Sequence, residues 1–431
     1  MNSPLTFQLR CIDCSATYHP RLVRYRCDCG GLLEVEHDSH NVWPSTLVMD
    51  RRRLSRAIED RSGVWRYREW ILPLPTADLV SKPEGNTNLY CSGSISDYTG
   101  ARWLAIKHEG ENPTGSFKDR GMVVGTTAAR WLGMTAVACA STGNTSASMA
   151  SYAAQAGMKA FVFIPATSVA AGKVAQAIAY GATVVQIRGD FDDAMRLVQQ
   201  VANEMGIYLL NSINPFRIEG QKAIGFEILD DLAWSVPDWI VVPGGNLGNS
   251  TAIFKGLSEL VARGIIDRLP RIAVIQAVGA NPLATAWRTG GGLIPVKADT
   301  LATAIKIGDP VSFKKCLAAL HTTHGTVTDV TDQEILDAKA VVDAAGIGAE
   351  PASCASIAGL RRLVAQGTIS PDERVVAVLT GHVLKDPDIV TAYHLNQISG
   401  VTPQFPNPPV TCDSSMDAVR RVVEQALFHP S

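Results

Sequence analysis

One lysine in this chain stands where it could act as a nucleophile. The segment Ser116-Phe117-Lys118-Asp119-Arg120-Gly121-Met122 closes the run His108-Glu109-Gly110-Glu111-Asn112-Pro113-Thr114-Gly115, and a helix-like stretch over residues 123–132 follows. A lysine in a polar, glycine-flanked turn at such a boundary can be desolvated and its ammonium pKa lowered, as Schiff-base chemistry requires. An isolated lysine near glycines is more often a solvated surface residue, so the weight falls on what else the chain carries.

Four further polar constellations follow apolar runs. Gly244-Gly245-Asn246-Leu247-Gly248-Asn249 comes after Trp239-Ile240-Val241-Val242-Pro243 and before a helical stretch over 250–263. Glycines there let the backbone approach an anion while N–H groups at the helix start point at it. No Gly-Lys-Ser/Thr accompanies the loop, and Gly245-x-x-Gly248 is a poor dinucleotide spacing. A monophosphate is therefore the better guest, with a plain strand-to-helix turn as the alternative. Ser141-Thr142-Gly143-Asn144-Thr145 offers hydroxyls, an amide and free N–H groups, suited to a carboxylate or a ring hydroxyl. Ordinary N-capping accounts for one of these residues and leaves the others unexplained. Asn211-Ser212-Ile213-Asn214-Pro215-Phe216-Arg217 adds a cation with amides, an oxyanion or phosphate pocket. Thr380-Gly381-His382 follows Val375-Val376-Ala377-Val378-Leu379 and is expected to present a hydroxyl at a strand end. Near the start of the chain, Cys11-x2-Cys14 and Cys27-x-Cys29 form two knuckles, the second one residue shorter than a usual zinc-ribbon spacing. Structural zinc and reduced ribbon cysteines stand as equal alternatives.

The elements that must position these groups are legible as an alternation. Strands are expected over 135–140, 160–164, 183–187 and 207–210, with helices over 144–156, 169–180 and 191–205 between them. Later strands fall at 239–243, 272–275 and 375–379. Apolar strands alternating with helices mean parallel sheets covered by helices on both faces, an α/β fold. Two such lobes would hold a ligand in the cleft at strand carboxyl ends. Residues 43–70 are charged and amphipathic and are expected to be helical, and 76–90 reads as loop with Gly85-Asn86-Thr87 as its turn. The tail from Pro387 holds Gln404-Phe405-Pro406-Asn407-Pro408-Pro409 and then an amphipathic helix over 415–427.

Composition excludes several function classes. The chain has 431 residues, 46% hydrophobic and 19% charged, which suits two or three ordinary globular domains. A formal net charge of -2 argues against nucleic acid or an anionic membrane as a partner. No apolar run approaches a bilayer span, and Met1 to Arg10 lacks the pattern of a secretory or transit leader. Cys91, Cys139, Cys316, Cys354 and Cys412 are scattered singly, which suits free thiols in a reducing cytoplasm.

Taken in order, these segments resemble the threonine synthases, two-lobed fold-type II enzymes dependent on pyridoxal phosphate and similar in fold to the tryptophan synthase β-subunit. The resemblance is carried by residues 108–121, 141–145, 211–222 and 244–249, by Ala304-Ile305-Lys306-Ile307-Gly308-Asp309-Pro310, by Glu350-Pro351-Ala352-Ser353, and by residues 380–386. It implies that Lys118 is the Schiff-base lysine, with Phe117 against the cofactor ring and Asn144 on its hydroxyl. Gly244, Gly245, Asn246, Leu247, Gly248 and Asn249 would hold the cofactor phosphate, and Thr380 would face the pyridine nitrogen. Ser141, Thr142 and Thr145 would hold the amino acid. Asn211, Ser212, Arg217 and Asn246 would take a substrate phosphate. The implied reaction converts O-phospho-L-homoserine and water to L-threonine and phosphate. The implied layout is a zinc-ribbon-like segment over 1–42, a large cofactor-binding lobe over 43–124 and 211–386, a small lobe over 125–210, and a tail over 387–431. The expected partners are the small-molecule substrate and a second copy in a homodimer, with no nucleic acid and no membrane.

The chain departs from the resemblance at Val383, where glycine is usual, and at the shortened Cys27-x-Cys29 knuckle. A rival reading is a cysteate-synthase-like enzyme acting on O-phosphoserine and sulfite, which the 211–217 pocket would decide by the position of the phosphate. A rival of another class is a zinc-ribbon binding module with a degenerate enzyme behind it. The intact lysine segment and the absence of a basic patch weigh against that.

Overall fold

Short runs of β-branched and aromatic residues set the strands, and their spacing sorts them into three sheets. The computed structural model describes residues 5–39, 41–166, 171–189 and 191–428. At the amino end β1 (Phe7–Cys11), β2 (Thr17–Tyr18) and β3 (Leu33–His37) pair antiparallel in the order β2-β1-β3. Strand alternation buries Phe7, Leu9, Cys11, Leu33 and Val35 together.

Three short helices follow, α1 (Thr46–Arg53), α2 (Ile58–Arg61) and α3 (Arg68–Ile71). The expected helical character of 43–70 is thus realised only in pieces. Trp65, Tyr67 and Trp70 are all fully buried, and one continuous surface helix could not turn all three inward. The expected loop over 76–90 ends in a short strand, β4 (Leu89–Tyr90), followed by α4 (Gly93–Thr99) and β5 (Trp103–His108).

The helix α5 (Lys118–Trp131) then leads into the regular alternation. It comprises β6 (Ala136–Ala140), α6 (Asn144–Ala156), β7 (Lys159–Pro165), α7 (Ala171–Ala179), β8 (Thr183–Ile187), α8 (Phe191–Met205) and β9 (Tyr208–Leu209). These strands form a parallel sheet in the order β8-β7-β6-β9. Val169 and Ala170 of the expected helix lie outside the described residues.

The chain returns through α9 (Pro215–Asp231) to β10 (Trp239–Pro243), α10 (Gly248–Ala262), β11 (Arg271–Ala277), α11 (Pro282–Thr289) and α12 (Phe313–Thr322). β12 (Thr326–Val330), α13 (Asp332–Ala344), α14 (Pro351–Ala365) and β13 (Arg374–Leu379) complete a six-stranded sheet ordered β12-β11-β10-β13-β5-β4. Its strands are parallel except β4, which runs antiparallel to β5. The tail carries α15 (Pro387–His394) and α16 (Met416–Phe428). No helix among the described residues is long and apolar enough to cross a membrane.

The helix α9 is the unusual element, because every residue from Pro215 to Asp230 is buried although Arg217, Glu219, Lys222, Glu227 and Asp230 are ionisable. A helix buried all round is normally apolar all round, so these charges need partners in the core. Lys222 meets Glu219 at 2.5 Å and Glu259 at 2.6 Å, and Tyr67 donates to Asp230 at 2.7 Å. Glu227 pairs with Arg120 and with Lys107, the latter at 3.1 Å. Gly220 lets α9 cross α5 at close range, since a Cβ there would overlap the Arg120 carbonyl oxygen.

Removing Arg120 would leave Glu109 buried without its cation and Glu227 with Lys107 alone. Arg120→Met is expected to destabilise the fold by about 3–5 kcal/mol. Urea unfolding followed by far-ultraviolet circular dichroism measures this, and a loss below about 1 kcal/mol would show that the network is dispensable.

Candidate active site

Lys118 is the first residue of α5, so the helix begins five residues ahead of the expected start at Val123. The preceding loop is held by hydrogen bonds that fold it onto the helix. Thr114 donates to the Asp119 carboxylate from its backbone N–H at 2.7 Å and from its hydroxyl at 2.6 Å, and the Ser148 hydroxyl donates to it at 2.5 Å. Phe117 N–H donates to the Thr380 carbonyl at 3.0 Å and His382 N–H to the Gly115 carbonyl at 3.0 Å. Residues 115–117 therefore lie antiparallel against 380–382, which brings two segments far apart in sequence to one place. The Lys118 amine is enclosed by protein, while part of the side chain lines the cleft. Burial pushes its pKa down to about 7, helped by the charge of Arg217 and opposed by Glu350.

Thr380 ends β13 with its hydroxyl 3.0 Å from the Ser353 hydroxyl and 3.5 Å from a Glu350 carboxylate oxygen. Ser353 also accepts the N–H groups of Thr380 and Gly381, each at 2.8 Å. The Asn144 amide donates to the Glu350 carboxylate at 3.0 Å, joining the start of α6 to the start of α14. Glu350 is buried, and desolvation raises its pKa. Glu350 and Ser353 lie in a segment that carries the resemblance, but neither was assigned a role from the sequence. The available signal was the Glu-Pro step, in which Pro351 opens a helix and leaves Glu350 at its N-cap.

The other predicted residues fall around the same cleft. Ser141, Thr142 and Thr145 are half-buried at the start of α6, where the Ser141 hydroxyl accepts the Gly143 N–H at 3.2 Å. Asn214 accepts the Phe216 N–H at 3.0 Å and caps α9, which places Arg217 in its first turn. The Arg217 guanidinium is buried and donates to the Leu210 carbonyl at 3.1 Å, while its Nε has no partner. Burial lowers its pKa to about 10. Asn211 also serves the backbone. Its amide exchanges two hydrogen bonds with the Ala140 backbone, each at 3.1 Å, so it extends the pairing of β9 with β6. The second N–H of that amide is not used in this pairing. Ser212 remains available and accepts from Asn246 at 3.1 Å.

The glycine loop links β10 to α10. Gly244 packs under β11, where a Cβ would lie 2.6 Å from Val274 Cγ1. Leu247 adopts a left-handed conformation with φ of 62°, a strained choice for a leucine and one concentrated at functional sites. Asn246 accepts the Val311 N–H at 3.0 Å, and both amide atoms of Asn249 are buried without a partner.

These residues fit a phosphate-bearing aldehyde cofactor on their own chemistry. They supply a lysine whose pKa is lowered to about 7, a strained loop at a helix start with unpaired amide atoms, and a neutral hydroxyl at the strand end. Lys385, within the resembling segment 380–386, was assigned no role from the sequence. It donates to Gln176 at 2.5 Å, and Gln176 donates to the Thr114 carbonyl at 3.3 Å, so it ties α7 to the lysine loop.

At the amino end, the four cysteines converge. The Sγ atoms of Cys11, Cys14, Cys27 and Cys29 lie within 4.8 Å of one another, with Cys11 3.5 Å from Cys29 and Cys14 3.4 Å from Cys27. The shortened knuckle does not keep them apart.

The family described as pyridoxal-phosphate dependent enzyme matches residues 80–381, a span that holds every part of the cleft. With its parallel sheets and covering helices, the chain is a pyridoxal-phosphate-dependent enzyme of fold-type II. It is 46% identical over 419 residues to a threonine synthase of Methanocaldococcus jannaschii, covering 96% of this chain and 99% of that one. To a threonine synthase of Methanosarcina acetivorans it is 47% identical over 421 residues, covering 97% and 98%. The solved threonine synthase of Escherichia coli shares the fold, with a TM-score of 0.66 at 15% identity over 97% of this chain and 99% of that one. The chain belongs to the threonine synthases.

The depressed pKa of Lys118 has a measurable consequence. In protein stripped of cofactor, amine-selective labelling of the peptide containing Lys118 should rise with a midpoint near pH 7, not above 10. Arg217→Ala removes a neighbouring positive charge, so the midpoint should move upward. A midpoint unchanged from that of surface lysines would show that the amine is solvated.

Proposed function

We propose that this enzyme converts O-phospho-L-homoserine and water to L-threonine and inorganic phosphate, with Lys118 as the Schiff-base lysine and proton carrier. The observation that carries the reading is that the Lys118 amine and the Arg217 guanidinium share one buried environment, each displaced toward its neutral form. A base and a phosphate-binding cation are thereby set side by side. When bound, pyridoxal phosphate supplies the electron sink that stabilises negative charge at the substrate α-carbon.

The chain supplies the rest. Lys118, as a free amine, removes the α-proton and then a β-proton, and later returns protons at the γ- and α-positions. Arg217, Ser212 and Asn246 receive the departing phosphate, where charge builds as the Cγ–O bond breaks, and water adds at the β-carbon. Asn211 acts in this scheme by fixing the end of β6 against β9, and so the start of the 141–145 loop. Ser141, Thr142 and Thr145 hold the substrate carboxylate at the N-terminus of α6, where the helix dipole favours an anion. Phe117 would lie against the ring, Asn144 would meet its hydroxyl, and residues 244–249 would take its phosphate. Thr380 would be a neutral partner for the pyridine nitrogen, which would keep the ring less protonated than a carboxylate would.

The four amino-terminal cysteines bind a structural zinc in this proposal, since four thiolates at these separations leave no open coordination position. The proposed location is the cytoplasm. The proposed assembly is a homodimer.

Assay of the pure protein with O-phosphohomoserine, and separately with O-phosphoserine plus sulfite, tests the reaction directly. Threonine and phosphate in equal amounts from the first substrate are expected, and turnover confined to the second would sink the proposal. Arg217→Ala should lower kcat/KM by about a hundredfold, roughly 3 kcal/mol, through both KM and kcat. Arg217→Lys should recover only part of this, because the forked donor geometry is lost. Binding of a homoserine analogue without phosphate should stay near wild type, and an equal loss there would move the phosphate site elsewhere. Thr380→Val should slow α-proton exchange by about fivefold, the worth of one hydrogen bond near 1 kcal/mol. Elemental analysis of anaerobically prepared protein should find one zinc per chain, and a metal-free preparation of full activity would refute the structural site.

A further inference from the structure

The helix that carries Arg217 presents a second polar side chain one turn later. Gln221 follows Arg217 by four residues on α9, so both lie on the same face, about 6 Å apart along the axis. The two known partners of that face are α5, which begins at Lys118, and the glycine loop. A Cβ built on Gly121 would meet Gln221 Nε2 at 2.9 Å, and one built on Gly248 would lie 3.9 Å from Gln221 Oε1 and 4.0 Å from the Ser312 hydroxyl. The Gln221 amide is thus inserted between the first turn of the lysine helix and the first residue of α10. It is 4% exposed, and its Oε1 is buried with no hydrogen-bond partner.

Asn249, next to Gly248, is 5% exposed, and neither of its amide atoms has a partner. Three buried amide atoms with unmet capacity therefore belong to Gln221, beside Gly248, and to Asn249, the residue after it. Elsewhere in α9, Lys222, Glu227 and Asp230 are paired, while Arg217 Nε is not. An unpaired buried polar atom costs about 1–3 kcal/mol, so an accumulation at one point marks a place where a polar ligand completes the bonding. An anion at a helix start is the ligand the loop suits, and a side-chain amide can turn its N–H toward it by rotating half a turn.

We propose that Gln221 is a side-chain ligand of the cofactor phosphate, and that it couples the helix of Lys118 to the loop that holds that phosphate. The inference rests on the assignment of residues 244–249 to the cofactor phosphate. One helix then serves both phosphates of the reaction, the substrate's from Arg217 and the cofactor's from Gln221 on the following turn. The competing explanation is that Gln221 is only a spacer between α5 and α10.

Equilibrium binding to cofactor-free protein separates the two. Pyridoxal phosphate and pyridoxal, which lacks the phosphate, are titrated by absorbance into wild type, Gln221→Met and Gln221→Glu, with folding checked by circular dichroism. Gln221→Met keeps the volume and removes the donor, so it should weaken pyridoxal phosphate by about tenfold and leave pyridoxal within about twofold. Gln221→Glu places a carboxylate against the phosphate and should weaken it by about a hundredfold, again sparing pyridoxal. Gln221→Asn withdraws the amide by one methylene and should show the same discrimination should the methionine variant fail to fold. Equal losses for both ligands, or an unchanged affinity for pyridoxal phosphate in Gln221→Met, would overturn the proposal. Wild type that bound neither ligand would overturn the functional reading itself.

Discussion

The buried ion network of Arg120 is the interaction on which the rest of the cleft depends. Its guanidinium is fully enclosed and donates to both oxygens of Glu109, at 2.6 and 2.7 Å, and to Glu227. It also reaches the Gly63 carbonyl and the Thr87 hydroxyl, each at 3.3 Å. Arg120 lies two residues beyond Lys118, so these contacts anchor the first turn of α5 to the end of β5, to α9 and to the segment before β4. Taking such charges out of water is costly, and only geometry this complete makes the cost tolerable. Burial alone would raise Glu227, but Arg120 and Lys107 hold its pKa down to about 2. The network is a rigid base from which one amine can be left without a counter-charge.

Two opposite electrostatic patterns follow. Around α9, buried carboxylates are driven toward their charged forms. Glu219, set against Lys222 and Lys255, is held well below the carboxylate range despite its desolvation. Inside the cleft, buried groups are driven toward neutrality. Desolvation lowers Lys118 and Arg217 and raises Glu350, and it raises Asp119 to about 6. A site whose cations lack a carboxylate hydrogen-bond partner and whose carboxyls are raised toward their neutral form is suited to anionic ligands, which is what two phosphates and a carboxylate are.

The amino-terminal cysteine module is wired into both sheets. The Tyr25 hydroxyl accepts the Leu209 N–H at 2.7 Å, immediately before the polar segment that leads to Arg217. Asp13 meets Lys314 at 3.0 Å and Glu34 meets Lys315 at 3.3 Å, both on α12. That helix follows Val311 and Ser312, whose N–H groups bond to Asn246 at 3.0 and 3.3 Å. The module therefore braces the segment leading to Arg217 and the glycine loop together.

What the sequence by itself determined was local. The alternation from β6 to β9, the strands β10 and β13, the lysine segment, the glycine loop and the cysteine pairs could all be read because each is a short pattern of side-chain period or spacing. β5 and β12 were not legible in the same way. β5 carries Lys107, which becomes acceptable in a buried strand only through Glu227 and Asp231 on a distant helix. The true start of α5 was hidden for the same reason, since the bonds that set it come from Thr380 and Ser148. Only the tertiary structure decided that Asn211 serves the backbone of β6, that Glu350 and Ser353 stand beside Thr380, and that Gln221 reaches the glycine loop. Each of these depends on which polar groups burial leaves paired or unpaired, and pairing in a core is made between residues tens to hundreds of positions apart, where no local pattern records it.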